Sequence, residues 1–105
     1  MKNLWKLSKS SNNSKKVKFI ILFGSAAQGN LTEESDMDVC IYFDGSDKEA
    51  KKFRLKLLFY LPDYFDVQNF NSLPVYVKME VLKGIPIYVQ DNKFLYEIAY
   101  QTIEE

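Results

Sequence analysis

Histidine is missing altogether from this chain of 105 residues. Its absence removes Ser-His-Asp and Cys-His nucleophilic catalysis, histidine-ligated zinc and a histidine general base together. Cysteine occurs once, at Cys40, so no internal disulfide can form, a usage that fits a reducing cytoplasm. No apolar run approaches the roughly 18 residues of a membrane span, and the opening MKNLWKLSKS lacks the apolar stretch of a secretory signal. The expectation is a cytoplasmic protein with no membrane attachment. A charge excess of either sign is lacking too: 14 basic and 14 acidic residues cancel, which argues against a protein built around a nucleic-acid backbone. Proton transfer or metal binding must therefore use carboxylates, lysine, tyrosine or the lone thiol.

Apolar material is plentiful. Hydrophobic residues make up 47% of the chain and aromatics 15%, enough for one real core in one domain. The cancelling charge is unevenly spread. Residues 1–18 hold six lysines and no acid, which leaves the rest net −6. The division expected is a basic N-terminal segment, 1–16, and a domain, 17–105. The ordinary reading of such a run is a solvated tail, and the alternative is a contact with RNA, a nucleotide or an acidic partner. Trp5 reads as a packing anchor for this segment.

Hydrophobic period orders the remainder. Residues 17–23 (VKFIILF) read as a buried, central strand ending at Gly24. Residues 37–43 read as a second strand in which Met37, Val39, Ile41 and Phe43 face one way and Asp36, Asp38, Cys40 and Tyr42 the other. Asp47 is a candidate N-cap for a helix over 48–61 with Ala50, Phe53, Leu57, Leu58 and Leu61 inward. A third strand over 64–70 puts Asp66 and Gln68 on one face. A helix opening at Pro74 has Val75, Met79 and Leu82 as its expected buried stripe, with Gly84 just past its end. Residues 85–89 form a strand that Pro86 confines to an edge. A last helix spans 94–103, with Phe94, Leu95, Ile98 and Ala99 inward. The 24–35 connection is too irregular for a crossover helix, so the first two strands are expected to pair antiparallel. The fold class expected is α/β (α+β), a mixed four-stranded sheet with helices packed on it.

Asp36 and Asp38, two residues apart on a strand, project from one face. Two adjacent anions raise each other's pKa, and a divalent cation relieves that repulsion. Oxygen donors without histidine or cysteine favour magnesium or manganese over zinc. Asp66, on a neighbouring strand and flanked by apolar residues, is the natural third carboxylate. Three acids plus substrate phosphates can hold two metals about 3.5–4 Å apart for in-line phosphoryl displacement. The Gly24–Ser25 turn suits the same task, because glycine lets the backbone close on a phosphate and the serine hydroxyl and exposed amides can hold its oxygens. Each element alone is ordinary, a turn or an exposed strand face. Their joint order is far more specific.

Gly24-Ser25, ten residues, then Asp36-x-Asp38 resembles the signature of the minimal nucleotidyltransferases (MNT), the smallest members of the DNA polymerase β superfamily. The resemblance extends through Gly24-Ser25-x-Ala27-x-Gly29, Ser35-Asp36-x-Asp38, the strand-borne Asp66, and Gly84-Ile85-Pro86-Ile87-Tyr88, covering about residues 17–100. It implies a polymerase β-like fold, nucleotide binding at Gly24 and Ser25, magnesium ligation by Asp36, Asp38 and Asp66, and help from Asp66 in deprotonating an acceptor hydroxyl. Position 28 is often arginine in such proteins and is Gln28 here, which would either lower activity or pass the phosphate-facing charge to a lysine, Lys18 or one in the tail. Proteins of this group are often paired with a HEPN-domain ribonuclease toxin. The resemblance then implies an antitoxin that transfers AMP from ATP to a tyrosine of the HEPN partner. The toxin role itself is not implied, since HEPN ribonucleases use a histidine.

Chain size points independently to a protein acceptor. A domain this small has little left to enclose a small acceptor once a nucleotide is bound, so a partner surface would complete the site. Small-molecule nucleotidylation stays as a lesser alternative. So does a non-catalytic module that neutralises its partner by occlusion. Cys40 reads as simply buried, and the basic outer side of the 48–61 helix (Lys51, Lys52, Arg54 and Lys56) as a solvated face, with a partner or nucleotide contact as the alternative.

Overall fold

The computed structural model describes residues 14–24, 27 and 36–104. A short 3-10 turn, Ser14–Lys16, leads into strand β1, Val17–Phe23. Then follow β2 (Met37–Phe43), helix α1 (Asp47–Tyr60), β3 (Phe65–Asn69), a second 3-10 turn (Phe70–Ser72), α2 (Val75–Leu82), β4 (Ile85–Val89) and α3 (Asn92–Glu104). The strands form one sheet in the order β3-β2-β1-β4. β1 pairs antiparallel with both β2 and β4, while β2 and β3 run parallel. The expected mixed sheet is present, with β1 central, β4 at an edge and the first two strands antiparallel. Among the described residues no helix is long and apolar enough to cross a membrane.

The alternation of β2 explains the layers. Val39, Ile41 and Phe43 enter one core with Val17, Ile20, Leu22 and Val67, covered by Phe53 and Leu57 of α1. Cys40 enters the other with Phe19, Ile21 and Phe70, covered by Val81 of α2 and Ile98 of α3. Both faces of the central strands are thus buried, which is why β1 reads as a continuous apolar run. Cys40 is fully buried, and burial pushes its thiol up to about 12.

Two local expectations are corrected. The N-cap of α1 is Ser46, not Asp47: the Ser46 hydroxyl accepts from the Glu49 amide at 3.2 Å, and the Glu49 carboxylate accepts from the Ser46 amide at 3.3 Å. This is a capping box, and Asp47 occupies the first turn, where its charge complements the helix dipole. In α2 the buried residue is Val81, while Met79 is exposed. That helix has only eight residues, with apolar side chains at 75, 77, 79, 81 and 82, too short a run to fix its phase. Gly84 does follow the α2 cap, but without a left-handed φ. Its need is for space, since a Cβ there would run into the carbonyl oxygen of Leu22. Absence of a side chain lets the α2–β4 corner lie directly on β1. In α3, Thr102 is buried as well as Ile98, its hydroxyl satisfied by the Ile98 carbonyl at 2.8 Å.

Candidate active site

β1 ends and β2 and β3 begin at the same edge of the sheet. Phe23 lies opposite Asp38 in the antiparallel pair, and Asp38 lies beside Asp66 in the parallel pair. Neighbouring strands are about 4.8 Å apart, so Asp38 and Asp66 are side by side on one face. Asp36, just before β2, shares the parity of Asp38. Asp36 is exposed, and Asp38 and Asp66 are half-buried. The face is the one shared with Cys40 and Tyr42, beneath α2 and α3.

Two contacts set the placement of Asp66. The Met37 amide donates to the Tyr64 carbonyl at 2.7 Å, carrying the parallel pairing past the strand end. The Arg54 guanidinium donates through Nε to the Val67 carbonyl at 2.5 Å, tying α1 to β3. The Asp66 side chain is itself held, because Gln68 Nε2 donates to its Oδ2 at 3.0 Å.

The electrostatics reflect the crowding. Burial, and then the negative charges of Asp66 and Asp36, push the Asp38 carboxyl above its ordinary value of 3.8. Among the described residues no three histidine, cysteine or acidic side chains already form a metal cage. What this end of the sheet presents is Asp38 with the negative charges of Asp66 and Asp36 near it. Their donor set fits a hard divalent cation, being all oxygen and strongly negative. Gly24 fits that use, with φ 75° and a position where a Cβ would come within 2.6 Å of Asp38 Oδ2. A side chain there would be strained and would fill the space beside the carboxylate.

The structure therefore brings together Gly24, Asp36, Asp38 and Asp66. Ser25, Gln28 and Gly29 lie outside the described residues, as do residues 1–13 of the basic segment. Lys18 does not belong to the site. Six strand positions separate it from Gly24, about 20 Å at 3.3 Å per residue. At its own end Lys18 donates to Gln90 Oε1 at 3.1 Å, approaches Asp44 at 3.9 Å and sits over the Phe94 ring. Gln68 as a partner of Asp66 was missed by sequence reasoning, although their shared parity was the available signal. Arg54, expected on the basic outer side of its helix, instead reaches the Val67 carbonyl, and no local pattern signals that contact.

The family model described as "Polymerase beta, Nucleotidyltransferase" matches residues 5–93. Two proteins of Methanocaldococcus jannaschii, MJ1547 and MJ1379, each named "Putative protein adenylyltransferase", are similar in sequence. The first is 35% identical over 86 residues, 82% of this chain and 66% of its own length. The second is 48% identical over 46 residues, 44% of this chain and 46% of its own. This chain thus spans two thirds or less of either relative. Among solved structures, a toxin-antitoxin with AMP-PNP superposes with a TM-score of 0.75 at 21% identity, covering 97% of this chain and 83% of that one. A complex of the tri-AMPylated Shewanella oneidensis HEPN toxin with its MNT antitoxin gives 0.66 at 20% identity, covering 99% and 85%. Identities this low establish a shared fold.

Proposed function

The chain belongs to the polymerase β nucleotidyltransferase family, and on that premise we propose that it is an antitoxin that transfers AMP from ATP to a tyrosine of a HEPN-domain toxin. The observation that carries this reading is the in-register pairing of Asp38 with Asp66 beside Gly24. The two relatives named as adenylyltransferases support the reaction class. The AMPylated HEPN toxin found with an MNT antitoxin of the same fold supports the partner.

In this reading Gly24 and Ser25 receive the triphosphate, and Asp36, Asp38 and Asp66 would hold magnesium, two ions by the count of carboxylates. Bound magnesium would supply positive charge against the phosphates and lower the acceptor pKa. The acceptor phenol, ordinarily near 10, loses its proton to Asp66. Its oxygen bonds to the α-phosphorus of ATP, and the bond to pyrophosphate breaks. With a Gln at position 28 and Lys18 at the far end of the sheet, any balancing cation comes from elsewhere in the chain or from the partner.

Incubating the protein with its HEPN partner, ATP and magnesium should add at least one AMP mass to the partner, read by intact mass spectrometry. Chelation of the metal, or Asp36→Ala, Asp38→Ala or Asp66→Ala, should reduce transfer at least about 100-fold, the scale of losing a charge-stabilising group, with the complex still formed. An unmodified partner across several nucleotides would refute the reading.

Neutralisation by occlusion is the second reading. Large apolar side chains left on the surface favour it, notably Phe59 at 83%, Tyr76 at 74% and Tyr96 at 70% exposed. It requires that the Asp36/Asp38 double alanine variant still silence the toxin; transfer-dependent silencing excludes it.

A further inference from the structure

We propose that Gln68 is a positioning residue for Asp66, holding one carboxylate oxygen so that the other is presented for a divalent cation. This rests on the metal-site reading given above. The Gln68–Asp66 bond at 3.0 Å is, among the described residues, the only side-chain hydrogen bond to any of the three carboxylates. An ionised carboxylate only accepts, so the amide nitrogen faces it. That contact engages Oδ2, and among the described residues no side chain hydrogen-bonds to Oδ1.

Geometry makes the pair specific. The two residues sit at i and i+2 on β3, on the same face and both half-buried. Their Cα atoms are about 6.6 Å apart at 3.3 Å per residue, a span that the Gln68 side chain covers to reach Asp66. Beside Gln68 in the sheet lies Cys40, which is fully buried. The chemistry of the donor also matters. A lysine or arginine in this place would pair with Asp66 and compete with the cation. A neutral amide orients the carboxylate and leaves its charge in place. Fixing a ligand through an outer partner is typically worth about 10–100-fold in metal affinity.

The test is Mn2+ binding to the full chain with a non-hydrolysable ATP analogue, followed by electron paramagnetic resonance, with a thermal melt of each variant. Gln68→Met keeps the length and removes the donor, and Gln68→Asn keeps the amide and draws it back by one methylene. Each should weaken Mn2+ binding about ten-fold with the melting temperature unchanged. In an Asp66→Asn background Gln68→Met should add less than about two-fold, because the effect acts through Asp66. Unchanged Mn2+ affinity in Gln68→Met or Gln68→Asn overturns the proposal while leaving the metal site intact. An equal loss with and without Asp66 overturns it in favour of a merely structural role. No Mn2+ binding by the unaltered chain overturns the metal site and this proposal together.

Discussion

Asp38 is a carboxylate that the folded state holds at a cost to stability. Its carboxyl titrates above the ordinary value because it is partly buried beside Asp66 and Asp36. The folded state therefore binds that proton more tightly than the unfolded chain does. Stability from this group is greatest below the unfolded value near 3.8 and declines as pH rises through the raised one. At neutral pH, without metal, the full penalty is present. Asp38→Asn should accordingly raise the melting temperature at neutral pH in a chelator, with the gain shrinking as pH falls into the carboxylate range. A variant that melts lower than the parent at neutral pH would contradict this. The parity placing Asp36 and Asp38 on one face was legible from alternation along β2. The Gln68 contact was not, because a hydrogen bond depends on side-chain reach that a pattern of apolar and polar positions does not encode.

Among the elements, α1 shows both what local signals reveal and where they mislead. Ser46 and Glu49 carry the S-x-x-E spacing of a capping box, yet Asp47 is the more conspicuous candidate by residue type. Lys16 adds an ion pair at 2.6 Å to Glu49, joining the chain before β1 to the start of α1. That hydrogen bond and those from Ser46 hold the exposed Glu49 carboxyl below its ordinary value. Ser46→Ala should cost about 1 kcal/mol, seen as a lower urea midpoint with an unchanged m-value. Asp47→Ala should cost distinctly less, since Asp47 makes no cap. Equal losses would return the cap to Asp47. For α2, eight residues with apolar side chains on more than one face left the phase to the tertiary packing of Val81 against β1.

On the scale of the whole molecule, one sheet carries two cores, and the central strand serves both. Phe19 is fully buried, with the Tyr42 ring at 5.2 Å and the Phe70 ring edge-on at 5.5 Å. Phe19→Ala should cost about 3–5 kcal/mol, a large part of the roughly 5–15 kcal/mol available to a domain. Chemical denaturation followed by circular dichroism would measure it, and a loss under about 1 kcal/mol would mean the second core can collapse around the gap.

Read alone, the amino-acid order already places the strands and helices, the antiparallel start of the sheet and the edge position of β4, and with histidine absent it leaves carboxylates, lysine, tyrosine and one thiol for chemistry. Those properties follow from local period, from proline and glycine, and from composition. It takes the folded chain to set Asp66 beside Asp38, to leave space next to it at Gly24, and to put Lys18 at the opposite end. Strand register between segments some 28 positions apart depends on α1, Arg54 and the Tyr64–Met37 bond acting together. A slip of one residue would turn Asp66 to the other face, and no period within β2 or β3 alone forbids it.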